Sequence, residues 1–261
     1  MSAAPPRQTF PVLPWWRDDG LDGDELLATA EALDATAISQ DERDRCVVAH
    51  IVTSNVQEGT MPMSTSTANA VSILTRAAGP AAWADAGAVA QLDAHMRAVH
   101  LLSGLRPVDL DVDTLAEVHA TLMCGARMED TGDACPMGLR TVPVHANGRF
   151  FMDAQDIRDF LLDALDRHRS SVSSAGDALP ARIAAAAALF RDVVHVIHPF
   201  VDGNGRLGRM LVACSLRSRL GLFLPLTNGH RKPRKKYEAV ISRVARTLGD
   251  SAGPLHTQNA R

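Results

Sequence analysis

The sequence predicts an all-α helical bundle carrying one small β-hairpin, and three observations predict it. From about residue 22 onward, apolar side chains recur at helical spacing almost throughout. One segment, "RTVPVHANGRFF" (140–151), alternates instead around an Asn147-Gly148 pair, the strongest short-range hairpin signal. No internal repeat divides the chain. At 261 residues and 46% apolar composition, it suits one large domain, or a domain with a helical extension, around a sizeable core.

Taken in order, residues 1–20 read as an arm without regular structure, with Trp15 and Trp16 as candidate anchors to the body. In "SQDERDRCVVAHIVTSNVQEG" (39–59), Ser39 and Glu42 form a capping box. Cys46, Val47, Ile51, Val52 and Val56 follow near helical spacing, and Gly59 is a natural terminator. Further helices are expected over roughly 65–77, 81–103, 111–124 and 153–170, the last with Asp153 as N-cap. The hairpin at 140–151 stands among them. A lone two-stranded hairpin is marginal in water, so it either packs on the helices or is a flap completed by another strand; an ordinary surface loop is the plain alternative. A Ser/Gly/Ala linker is expected around 171–178, followed by a buried helix, "PARIAAAAALFRDVVHVI", with Pro180 at its start. Helices through "LGRMLVACSLRSRLGLFLPL" and over 231–247 complete the series.

Composition excludes several classes. A net charge of −3 gives no bulk attraction to nucleic acid or to a membrane surface. The four cysteines, Cys46, Cys124, Cys135 and Cys214, are scattered, which fits a reducing cytosol and offers neither a disulfide framework nor a zinc spacing. The longest apolar run, "IAAAAALF", is far too short to span a bilayer. Prolines stand where a signal peptide needs an apolar stretch. The expected location is the cytoplasm, with signal-free export as an open alternative.

The chemistry concentrates in "HPFVDGNGRLGR" (198–209). Pro199 disfavours the α conformation at His198, so the preceding helix should end there and leave the imidazole at the mouth of a turn. Asp202, Gly203, Asn204 and Gly205 tolerate a tight turn with positive φ, and Asp202 and Asn204 can cap the helix that begins near Gly205. A glycine-rich turn opening a helix presents backbone N–H groups and a positive dipole end, which is an anion site. Arg206 and Arg209 are spaced to share a side of that helix, and each can fork onto phosphate oxygens. Asp202 conflicts with an anion site unless a Mg²⁺ ion joins carboxylate to phosphate. A histidine beside such a site is suited to accept a hydroxyl proton. A turn, a structural histidine and two surface arginines are each the plainer reading alone; their ordering within twelve residues favours nucleotidyl or phosphoryl transfer.

This stretch resembles the Fic-domain signature H-P-F-x-D/E-G-N-G-R-x-x-R and matches it at every fixed position. "LAEVHATLM" (115–123) is similar to the family's L-H-x-x-L-M helix, and the hairpin lies where the family places its target-binding flap. The resemblance covers about 90–247, leaving an N-terminal helical region at 21–89 and a C-terminal tail at 248–261. It implies transfer of AMP from ATP, with Mg²⁺, onto a Ser, Thr or Tyr hydroxyl of a target protein. Carried over, His198 is the base and Asp202 holds the metal. Gly203, Asn204 and Gly205 cradle the phosphates, while Arg206 and Arg209 bind the outer ones. Phe200 anchors the loop, and Tyr237 lines the adenine pocket. Arg140, Thr141, Val142, Pro143 and Val144 form the flap edge, whose recognition is largely backbone pairing. A homo-oligomer is compatible with all of this.

Glu58 opposes the dipole at the end of its helix, a local rule broken at about 0.3–1 kcal/mol, although a solvated surface glutamate is the plainer reading from periodicity alone. Ser54 shares its face. Together with Gly59 they resemble the Fic inhibitory motif S/T-x-x-x-E-G/N, which implies that Glu58 pairs with Arg209 and restrains the enzyme from the helix at about 40–59. Removal of AMP by the same site, or a non-catalytic binding module, are the alternatives. His195 and Asp192 beside His198 lack a metalloprotease arrangement, and the basic run "HRKPRKKYE" (230–238) has no interleaved aromatics for a nucleic-acid platform.

Overall fold

The protein is described by a computed structural model over residues 38–61, 86–127, 132–146, 149–224 and 226. The expected arm (1–20), the helix at 65–77, the start of 81–103, the Asn147-Gly148 turn, the helix at 231–247 with Tyr237, and the tail at 248–261 lie outside those residues. Among the described residues there are six α-helices and one hairpin.

Helix α1 (Gln40–Glu58) begins at a complete capping box: the Glu42 N–H donates to Ser39 Oγ, and the Ser39 N–H donates to Glu42 Oε2 at 2.8 Å. It ends at Gly59, which takes the left-handed conformation at φ 79°. Its inner face is mixed. Ile51, Val52 and Val56 are buried beside His50, Ser54, Asn55 and Gln57. His50, Ser54 and Asn55 dock the helix by hydrogen bonds as well as by apolar burial. His50 Nδ1 donates to the Leu224 carbonyl at 3.1 Å, and Asn55 Nδ2 donates to His95 Nδ1 at 2.8 Å.

Helix α2 (Ala86–Ser103) packs against α3 (Val112–Leu122), which is capped by Asp111 accepting from the Thr114 N–H at 2.7 Å. A 3₁₀ turn (Pro107–Asp109) joins them. Helix α4 (Ile157–Ala175) follows a second 3₁₀ turn (Ala154–Asp156). Asp153 caps neither by its side chain, contrary to expectation. The linker expected at 171–178 is mostly helix: Ser170, Ser171, Val172, Ser173, Ser174 and Ala175 continue α4, because Val172 packs in the core, and the chain breaks only at Gly176.

Helix α5 (Leu179–Phe190) has its proline in the first turn as expected, yet it does not run uniformly to His198. Residues Arg191–Ile197 widen into a π turn, and the His198 N–H closes it on the Val193 carbonyl at 2.9 Å. Such turns accumulate at functional sites because the extra residue redirects the side chains that follow. Helix α6 (Asn204–Leu220) returns through the middle of the bundle against α5. Leu92, Leu102, Leu115, Phe190, Phe200, Met210 and Leu211 form a core with almost no solvent contact.

The hairpin is shorter than the alternation suggests. Only β1 (His145–Ala146) and β2 (Arg149–Phe150) pair, antiparallel, with His145 opposite Phe150. Residues 140–144 form no regular strand and bend at Val142, with Thr141, Val142 and Pro143 exposed; beyond the pairs, the Phe151 N–H donates to the Val144 carbonyl at 3.3 Å. Among the described residues, no helix is long and apolar enough to cross a membrane.

Candidate active site

The site forms where the π turn, the loop 198–203 and the start of α6 meet the end of α1. His198 is the one non-glycine residue with positive φ among the described residues, at φ 50° and ψ 63°. Pro199 makes the right-handed helical conformation unfavourable there, and histidine enters the left-handed region more readily than most residues. Its Nδ1 donates to the Val194 carbonyl at 2.8 Å. That bond fixes the tautomer and leaves Nε2 as the acceptor. Burial lowers the imidazole pKa, partly offset by the Val194 bond, and the Arg140 charge acts in the same direction as burial. Its neutral, basic form is therefore favoured. Phe151 stacks on the ring with centroids 3.9 Å apart and planes 15° from parallel.

The loop after His198 is closed by its own side chains. Asn204 accepts from the Phe200 N–H at 3.0 Å and donates to the Phe200 carbonyl at 2.8 Å. Neither Asn204 nor Asp202 caps α6, contrary to expectation: the N-cap is Gly203, at φ 80°, with no side-chain cap. The first N–H groups of the helix are thus left without a capping side chain, and a helix start of this kind suits an anion. Gly203 is required twice, for its positive φ and because a Cβ there would lie 2.6 Å from Met123 Sδ. Phe200 is buried and stacked on His119 at 3.7 Å, and His119 Nε2 donates to the Asp202 carbonyl at 2.8 Å. Burial pushes the His119 pKa down to about 4, which keeps this donor neutral.

Asp202 is half exposed. One carboxylate oxygen accepts from the Gly203 N–H and the other lies 3.6 Å from Arg206. No group of three or more His, Cys, Asp or Glu side chains that could hold a metal occurs among the described residues. A single accessible carboxylate beside an anion-ready helix start fits Mg²⁺, which takes one carboxylate together with substrate phosphates and waters.

The two arginines do not behave alike. Arg206 is turned into the body, 2% exposed, with Nη1 donating to Gln91 Oε1 at 2.7 Å and Nη2 against Met123 Sδ at 3.1 Å. The spacing put both arginines on one side of the helix; in the structure Gln91 and Met123 hold the Arg206 guanidinium. Arg209 is also buried, but its partners come from α1. Nε donates to Ser54 Oγ at 2.8 Å, and Nη2 donates to the Ser54 carbonyl at 3.2 Å and to Glu58 Oε1 at 2.5 Å. The Glu58 carboxylate fits there because residue 205 is glycine; a Cβ would meet Glu58 Oε1 at 2.5 Å. The rule that Glu58 breaks at the end of its own helix is thus compensated across the molecule by a cation.

Arg140 lies at the flap in sequence, and its side chain is buried and bonded to backbone carbonyls around the site. Sequence reasoning assigned no role to Gln91, Met123, Phe151 or the His119 ring. His119 and Met123 carried a signal, as the histidine and methionine of the "LAEVHATLM" helix.

Residues 109–216 match the model of the Fic/DOC family. No curated protein matches the chain in sequence. Solved structures similar to it include a Fic family protein from Desulfovibrio desulfuricans, at 17% identity over 88% of this chain and 66% of that one, with a TM-score of 0.60. A Fic domain containing signaling protein from Bacteroides thetaiotaomicron is 17% identical over 87% of this chain and 94% of that one, with a TM-score of 0.56. Fic-1 from C. elegans is 18% identical over 88% and 69%, with a TM-score of 0.60. The chain spans just under two thirds of the Desulfovibrio protein, and at these identities the likeness is one of fold. Residues 109–216, which hold His198, the glycine turn and both arginines, match the Fic/DOC family model, and the chain has the helical fold of Fic proteins.

Proposed function

We propose that this protein is an adenylyltransferase that moves AMP from ATP to a hydroxyl side chain of a target protein, and that α1 restrains it. The observation that carries the reading is His198, neutral and with Nε2 free to accept, at the mouth of a helix start that lacks a side-chain cap. In the proposed step the target oxygen attacks the α-phosphorus and its proton passes to His198 Nε2. The bond from the α-phosphorus to the bridging oxygen breaks, and pyrophosphate leaves. Gly203, Gly205 and the first N–H groups of α6 receive the phosphates. Asp202 would hold Mg²⁺, which supplies charge neutralisation when bound, and Arg206 supports Asp202 from behind. Arg209 binds the outermost phosphate once Glu58 has left it. A carboxylate fork and a phosphate fork need the same donors, so Glu58 and correctly seated ATP exclude each other.

AMP removal is the second reading. What favours it is Glu58 itself, a carboxylate seated against Gly205 and able to orient a water. Intact mass after incubation with Mg²⁺-ATP tests both. Glu58→Gly should gain the mass of AMP while the wild type does not, and adding His198→Ala should abolish the gain. Equal gain in wild type and variant would remove the restraint. No gain in either, with loss of AMP from a modified protein, would favour the second reading.

A further inference from the structure

The hairpin grips the turn that carries His198 from both of its ends. On the way in, the Arg140 N–H donates to the Pro199 carbonyl at 2.9 Å. Its guanidinium then reaches four more carbonyls. Nε donates to His198 at 2.7 Å, Nη1 to Val142 at 2.8 Å, and Nη2 to Ile197 at 3.1 Å and also to Met152. On the way out, Phe151 stacks on the imidazole, and the Met152 N–H donates to the Val196 carbonyl at 3.4 Å.

Two features make this more than packing. Arg140 is 3% exposed, and none of its hydrogen bonds goes to a carboxylate; a buried cation is devoted to neutral carbonyls, two from the flanks of the hairpin and two from the turn. In addition, the residue it holds is the left-handed one. A non-glycine residue in that region is strained and persists only where its surroundings over-determine it. The guanidinium and the Phe151 ring supply that constraint, one on the backbone of His198 and the other on its side chain. A target segment docked against the exposed Thr141–Pro143 stretch would therefore be fixed relative to Nε2 through these two residues.

We propose that Arg140 and Phe151 are positioning residues for His198, registering the base to a target segment docked on the hairpin. This rests on the adenylyl-transfer reading, so its test includes a readout independent of transfer. Arg140→Lys keeps the charge but cannot fork onto four carbonyls; Phe151→Ala removes the stack, and Phe151→Tyr restores it. Each is placed in the Glu58→Gly chain, and the turnover of transfer, the affinity for Mg²⁺-ATP and the ¹⁵N chemical shifts of the His198 ring are measured. Misplacing a reacting group by about 1 Å costs on the order of 100-fold. Arg140→Lys and Phe151→Ala should lose turnover on that scale with ATP affinity unchanged, and Phe151→Tyr should recover it. The His198 ring should change from one Nδ1-protonated tautomer to a mixture. Turnover and tautomer both unchanged in Phe151→Ala and Arg140→Lys would overturn the proposal. So would a loss explained by ATP affinity alone. If Arg140→Lys does not fold, the Phe151 pair decides. If the Glu58→Gly parent transfers nothing, the transfer reading falls and the ring spectra still decide this one.

Discussion

Ser54 and Glu58 are one turn apart on α1 and meet the same guanidinium, which explains why a serine sits on an otherwise packed face. Arg209 is buried, and its Nε has Ser54 Oγ as partner. Removing that acceptor leaves a charged donor without a bond, at about 2 kcal/mol. Ser54→Ala should therefore lower stability by that amount in urea unfolding. It should also raise self-modification above wild type and below Glu58→Gly in the mass assay. Stability lost with no gain in modification would assign Ser54 to the scaffold alone. At this scale, much of the site was legible, because a proline, a glycine or a misplaced charge acts on its immediate neighbours. Pro199 announced the end of the helix at His198, and the resemblance of Ser54, Glu58 and Gly59 to the inhibitory motif implied a distant partner for Glu58. Arg140, Arg206 and Asn204 were not legible: spacing tells which side of a helix a residue occupies, not which carbonyl or sulfur waits there.

Among the elements, the π turn and α6 decide where His198 stands. Gly208 lies at their crossing, where a Cβ would run into Val194 and meet the Phe190 ring at 3.0 Å. Val194 is also the residue whose carbonyl fixes the His198 tautomer. Gly208→Ala should cost about 1–3 kcal/mol by overpacking, read as a lower urea midpoint. It should also reduce transfer in the Glu58→Gly background, since the strain falls on the turn. An unchanged midpoint would mean that the two elements separate freely. Helix α1 was readable from 39 to 59 because a capping box and a terminal glycine bracket it. The π turn was not, since helical spacing of apolar residues resumes after Arg191 and Asp192 with no glycine or proline before Pro199 to mark where the hydrogen-bond register changes. The hairpin was readable as a turn but not in extent, because the Arg140 N–H is drawn to the Pro199 carbonyl and the chain bends at Val142 instead of continuing the ladder.

Across the whole molecule, the seam between α1 and the body is a buried histidine layer. His50 sits on the Leu224 carbonyl and packs edge-on against His95 and Phe223. Burial pushes the His50 pKa from 6.5 to about 4 and lowers that of His95 as well. Because the folded pKa lies below the unfolded one, the unfolded chain binds the extra proton between those values, and stability falls as pH drops from 6.5 toward 4. For His50 alone this amounts to on the order of 2 kcal/mol by about pH 5. Urea midpoints at pH 7 and pH 5 should diverge in the wild type and diverge less in His50→Gln, whatever the absolute stability of that variant. An unaltered pH difference would show that His50 does not titrate on unfolding. The sequence by itself determined the helical class, the bounds of α1, the turn at His198 and the pairing expected of Glu58. Those depend on periodicity, caps, prolines and glycines acting within a turn or two, or on a motif long enough to be read whole. Tertiary structure alone decided that Arg206 faces inward, that Arg140 and Phe151 hold the base, and that histidines line the seam. Each depends on which buried donor finds an acceptor, and only the packed arrangement of distant segments settles that.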